Sequence, residues 1–168
     1  MMYRLITLIL LVVAMSFCSS TEKREVKDKD GKTYAWVQET ETDDGKKQVR
    51  AVEYDKDRDG KVDHMINYDD QGQMQTVNVY KNQDEKNDFI VHYEKNEDKD
   101  AKKKYRRRQV DKLNENGEVV QTIMYHPNGK PAEVTVTKKN EKRTVYYDKN
   151  GKITSITKGS NTKEPSKK

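Results

Sequence analysis

Val145-Tyr-Tyr-Asp-Lys-Asn-Gly-Lys-Ile153 reads as strand, turn, strand. A β-branched and aromatic run suits a pleated surface. Asp-Lys-Asn-Gly then supplies polar turn residues and a glycine able to reverse the chain. The chain restates this unit in Val52-Glu-Tyr-Asp running to Gly60, in Asn67-Tyr-Asp-Asp-Gln-Gly72 and in Met124-Tyr-His-Pro-Asn-Gly-Lys130. Each copy closes a β-rich run on Tyr, turns on a Gly-containing segment and opens another run.

Outward from this unit, about ten short strands are predicted: Thr33–Thr40, Gln48–Tyr54, His64–Tyr68, Gln73–Tyr80, Asp88–Tyr93, the run from Lys102 to Leu113, Val119–Tyr125, Ala132–Thr137, Lys142–Tyr147 and Lys152–Lys158. Short strands at even spacing argue for an all-β antiparallel meander over residues 33–158. No segment has a persuasive helical apolar period. Alternation is imperfect: Val49 and Ala51 are expected on one face, Val52 and Tyr54 on the other. Apolar residues on both faces fit a thin or single-layer sheet with Lys and Glu stems covering the pleats. A twisted barrel or sandwich is the alternative.

The 168 residues are 32% hydrophobic and 38% charged, which leaves little for a core. Mean hydropathy is −1.22. Much of the apolar content lies in Leu5–Met15, and Leu113 is the only Leu after Cys18. Arg4 followed by that apolar run reads as a secretory signal, residues 1–17, its helix too short for a comfortable membrane span. Cys18 is the only cysteine, so no intramolecular disulfide forms, and it follows the run directly. Residues 18–32, opening on Cys18, then read as a flexible tether, and residues 159–168 as a disordered polar tail.

Met15-Ser-Phe-Cys18 resembles a bacterial lipobox of the permissive spirochaetal kind, which implies lipidation at Cys18 and a place in the cell envelope, outer membrane included, facing periplasm or surface. The units at Tyr125–Lys130 and Tyr146–Lys152 resemble the β-hairpin repeats of the antitoxin-like, MORN-related family, over roughly Tyr54 to Lys158. That resemblance implies an immunity or antitoxin role as an alternative to an interaction scaffold. Neither resemblance brings a catalytic residue.

Asp55-Lys-Asp-Arg-Asp-Gly-Lys-Val-Asp63 is the sharpest motif. Carboxylates at positions one, three and five with Gly at six form the front half of an EF-hand loop, but position twelve is Ile66 and the flanks are strands. The pattern resembles the calcium loops in β-hairpins of propeller proteins such as integrins. That resemblance implies Ca²⁺ held by Asp55, Asp57, Asp59, Asp63 and the Lys61 carbonyl. The alternative is a solvated acidic turn neutralised by Lys56, Arg58 and Lys61.

Lys102, Lys103, Lys104, Arg106, Arg107 and Arg108 form a dense basic run suited to a polyanionic surface, or to protecting a strand from edge pairing. His64, His92 and His126 have no Cys or His partner at ligand spacing, so no catalytic set is expected and the chain reads as a non-enzyme. The partners expected are a membrane, through the anchor, and an unidentified protein or polyanionic surface; no specific nucleic acid or small-molecule substrate is indicated.

Overall fold

The computed structural model describes residues 21–81, 86–97, 103–139 and 141–160. The signal segment, Cys18, Lys102 and residues 161–168 lie outside them. Eleven strands form one sheet in chain order: β1 (Thr21–Lys27), β2 (Thr33–Glu41), β3 (Lys47–Tyr54), β4 (His64–Tyr68), β5 (Met74–Val79), β6 (Phe89–Lys95), β7 (Tyr105–Leu113), β8 (Val119–Tyr125), β9 (Pro131–Lys138), β10 (Glu141–Tyr147) and β11 (Ile153–Ser160). Every neighbouring pair is antiparallel, and β1 does not pair with β11. The sheet is therefore an open meander, which resolves barrel against open sheet. Each strand's extensive contacts are with its predecessor and successor in the chain.

The turn read from the sequence recurs six times. In each, the first residue donates its N–H to the carbonyl four positions on, and the Gly at the fourth position donates back to it. Where the first residue is Asp or Asn, its side chain accepts the N–H groups two and four residues later. Asp148 Oδ1 takes those of Asn150 and Lys152, both at 2.9 Å. Asn114 Oδ1 takes those of Asn116 and Glu118, at 3.0 and 2.9 Å. The Lys152 N–H, foremost, holds the Asp148 carboxyl below its ordinary value. The closing Gly needs positive φ, +78° at Gly117 and +89° at Gly151. Open space surrounds a Cβ built at Gly117, so Gly117→Val probes conformation alone. We expect a loss of about 1–2 kcal/mol from the denaturation midpoint; an unchanged midpoint would mean the turn tolerates another geometry.

The register defines two faces. One carries an unbroken aliphatic row in which each residue stands directly opposite the next: Val37, Val52, Ile66, Val77, Val91, Val110, Ile123, Val134, Val145, Ile156. At strand spacing it runs roughly 43 Å. The other face carries a polar row: Ala51, Asn67, Thr76 and His92 in one line, and Asp111, Thr122, Thr135, Thr144 and Thr157 in its continuation. No second layer covers either face among the described residues. The buried apolar side chains are Ala35, Val37 and Ala51, all on β2 and β3, and exposure along the aliphatic row rises to 48% at Ile156. Backbone ladders and cross-strand pairs, each worth about 0.2–1 kcal/mol, therefore carry stability in place of a core.

Three expectations are corrected. Thr21–Lys27 is a strand rather than tether, and Gly159 and Ser160 end β11 rather than opening a tail. An edge strand needs no apolar face of its own. β1's charges find partners further along the chain: Glu22 on Lys47 at 2.5 Å, Lys23 on Glu53 at 2.6 Å, Arg24 on Glu39 at 3.5 Å. Val49 and Ala51 do not share a face. A bulge opposite Gln38 and Glu39 leaves Arg50 unpaired in the register and turns Val49 to the aliphatic side. Six further pairs carry one extra residue on the second strand in the same way. Each bulge shifts alternation by one and strengthens twist.

Candidate functional site

The Asp55–Asp63 loop joins β3 to β4. Asp55 is 2% exposed. Its carboxylate accepts the N–H of Asp59 at 3.1 Å and of Gly60 at 2.9 Å, which folds the loop over it. Asp63 Oδ2 accepts the Lys56 N–H at 2.5 Å. Asp55, Asp57 and Asp63 bring carboxylate oxygens within 4.8 Å of one another. Asp59 is not in that group; its Oδ1 accepts the Lys61 N–H at 2.9 Å. Arg58 leaves the loop to pair with Asp28 at 2.6 Å, docking the β1–β2 turn against it. Loss of water around Asp57, then its neighbours Asp59, Asp63 and Asp55, pushes its carboxyl up; the Asp59 N–H partly opposes this.

The basic run is divided by the pleat. Lys103 and Lys104 precede β7 and are exposed. Arg106 turns to the polar face and pairs with Glu94 at 2.7 Å. Arg107 turns to the aliphatic face and lies over Tyr125, 4.2 Å from the ring centroid. Arg108 sits in the bulge between the Tyr93↔Arg107 and His92↔Gln109 pairs. Arg106 and Arg107 therefore lie on opposite faces of the sheet.

The histidines are each engaged. His64 stacks on Tyr54 with centroids 4.8 Å apart, and its burial lowers its pKa. His126 Nε2 lies 3.0 Å from the Tyr147 carbonyl, tying the β8–β9 turn to the β10–β11 turn. His92 lies in the densest polar cluster of the sheet. Asp111, 7% exposed, accepts from His92 Nε2 at 2.9 Å, Gln109 Nε2 at 2.7 Å and Thr122 Oγ1 at 2.7 Å. A carboxylate only accepts, so His92 carries its proton on Nε2. The Thr135 and Thr144 hydroxyls, 2.8 Å apart, continue the row. Sequence reading did not find this cluster, because its members lie on three strands and meet only through the register.

No family model matches the chain, and no curated protein sequence matches it. Among solved structures it is similar to a chain in the crystal structure of the GtfA/B complex bound to UDP and GlcNAc, at 13% identity and a TM-score of 0.28. The match covers 83% of this chain and 24% of that one. Superposition that loose assigns neither fold nor chemistry.

Proposed function

We propose that the chain is a membrane-anchored bacterial lipoprotein whose sheet serves as a non-catalytic interaction scaffold. The observation that carries this is the open sheet of eleven strands, which presents two long solvent-facing surfaces of different chemistry. The lone Cys18 after the Leu5–Met15 run supports the anchor. We expect wild type to incorporate a labelled fatty acid and to fractionate with membranes, and Cys18→Ala to lose the label. Equal labelling of both would overturn the anchor. Trapping partners on the intact chain in envelope extracts tests the scaffold; retention of nothing at low and moderate salt counts against it.

A second reading rests on the three carboxylates gathered at Asp55, Asp57 and Asp63. They supply part of the 6–8 oxygens Ca²⁺ takes, the rest falling to carbonyls and water, at about 10⁻⁴ to 10⁻³ M. The electrostatics give a two-sided prediction. Asp57's raised pKa means folding disfavours its charged form, so its contribution is best below the carboxylate range and worsens as pH rises through it. Without metal, Asp57→Asn should melt higher than wild type near neutral pH and lose that advantage in acid. With millimolar Ca²⁺ the order should reverse. Melting curves indifferent to Ca²⁺ in both proteins would leave a plain acidic turn.

A further inference from the structure

The charges on the outer half of the sheet are sorted by face. On β6–β11 the aliphatic face carries Lys95, Arg107, Lys112, Lys138, Arg143 and Lys158, and Glu141 is its one carboxylate. The polar face of the same strands carries Arg106 and Lys142 against Glu94, Asp111 and Glu133. Lys112, Lys138, Arg143 and Lys158 are exposed and make no ion pair among the described residues. Lys112, Arg143 and Lys158 fall on one register line with Gln121 and Val136, two residues along each strand from the aliphatic row. Lys112, Gln121, Val136 and Lys138, together with Glu141, line a shallow groove there. On the opposite flank of the row, the same face carries Tyr93, Tyr105, Tyr125 and Tyr147.

We infer that this face of β6–β11 lies against an anionic lipid bilayer. Its three bands match the strata of a membrane surface. The aliphatic row reaches toward the acyl boundary, tyrosines occupy the headgroup zone where one end is apolar and the other wet, and long cationic side chains stretch to phosphates. Fluid lipid fits a twisted, bulged surface without shape-matched pockets, whereas a protein partner needs complementarity that this shallow face lacks. Each Lys or Arg near an anionic surface adds to the attraction, so several together hold a domain that one hydrophobic row does not. The inference rests on the anchored reading for the route to the surface. Thr21 is three residues beyond Cys18, a span of at most about 11 Å, so β1 would start close to the bilayer.

Neighbouring residues on opposite faces supply the test. Met124 faces the polar side and Tyr125 the aliphatic side. Full-length chain with Trp36→Phe carries either Tyr125→Trp or Met124→Trp and is mixed with phosphatidylcholine vesicles, with or without phosphatidylglycerol, containing brominated acyl chains. We expect the Tyr125→Trp probe to lose about half its emission on anionic vesicles and to recover in high salt, while the Met124→Trp probe is unaffected. Adding Lys112→Gln, Arg143→Gln and Lys158→Gln should restore the emission. Equal quenching of both probes, or of neither, overturns the inference, and the second result would return the face to an acidic protein partner. Vesicle flotation of the same samples reads the anchor separately. A chain that floats without quenching keeps the anchor and loses the face. One that is quenched on anionic vesicles but does not float with neutral ones keeps the face and loses the anchor.

Discussion

Asp111→Ala is expected to destabilise the sheet by about 3 kcal/mol. The carboxylate is 7% exposed and receives three side-chain donors from β6, β7 and β8. Its removal strands the His92 Nε2–H, the Gln109 amide and the Thr122 hydroxyl together. An unsatisfied buried donor costs about 1–3 kcal/mol, and these keep partial access to water, which sets the estimate at the low end for each. Asp111→Asn should fall between, since one amide oxygen faces three donors and its own NH₂ adds two more. Chemical denaturation followed by circular dichroism measures both. A loss below about 1 kcal/mol for Asp111→Ala would show that water serves the three donors equally well and that the polar row is not structural.

Val91→Asp should cost a similar amount and also change how the protein unfolds. Val91 stands between Val77 and Val110, so a charge there interrupts the aliphatic row at its middle. Desolvating an unpaired carboxylate on that half-buried face costs about 3 kcal/mol. Because each strand's extensive contacts run to its chain neighbours, β6 is the main link between β1–β5 and β7–β11 among the described residues. Weakening it should let the halves melt apart, as in other linear arrays. Trp36, the only tryptophan, reports the first half. Amide exchange in β9 reports the second. The transitions should coincide in wild type and separate in Val91→Asp, with Val91→Ile as the conservative control. Coincident transitions in the variant would mean that stability is shared across the whole sheet.

The hairpins were legible because their determinants are local. Asp-Lys-Asn-Gly at 148–151 specifies its turn through its own carboxylate and glycine, whatever the rest of the chain does. β1 was not legible, because Glu22 and Lys23 find their partners on Lys47 and Glu53, 25 and 30 residues away. The bulges hid the faces in the same way. Val49 reads as a neighbour of Ala51 until Arg50 is seen to drop out of the ladder. Of the acidic loop, three carboxylates converge, while Asp59 caps the backbone at Lys61. That division depends on a loop conformation the residue order does not encode. Arg106 and Arg107 are adjacent in sequence, yet they point to opposite faces. Lys112, Arg143 and Lys158 show the converse: distant in sequence, they align across the register.

The one-after-another strand order bears on how the chain is made. Large β-proteins usually fold slowly, because pairing partners distant in sequence must close long loops first. Here every strand pairs with the one just completed. A nascent chain leaving a ribosome or a translocation pore can therefore add strands to a growing edge in the order they emerge, and no early strand waits for a late one. At any moment the open edges are that of the newest strand and the outer side of β1. The described sheet has two edges of unequal character. β1 is dense in Glu, Lys and Arg, while β11 carries one charge, Lys158, beside the exposed Ile153 and Ile156. Growth thus starts at an edge that repels further pairing, a protection that β11 lacks.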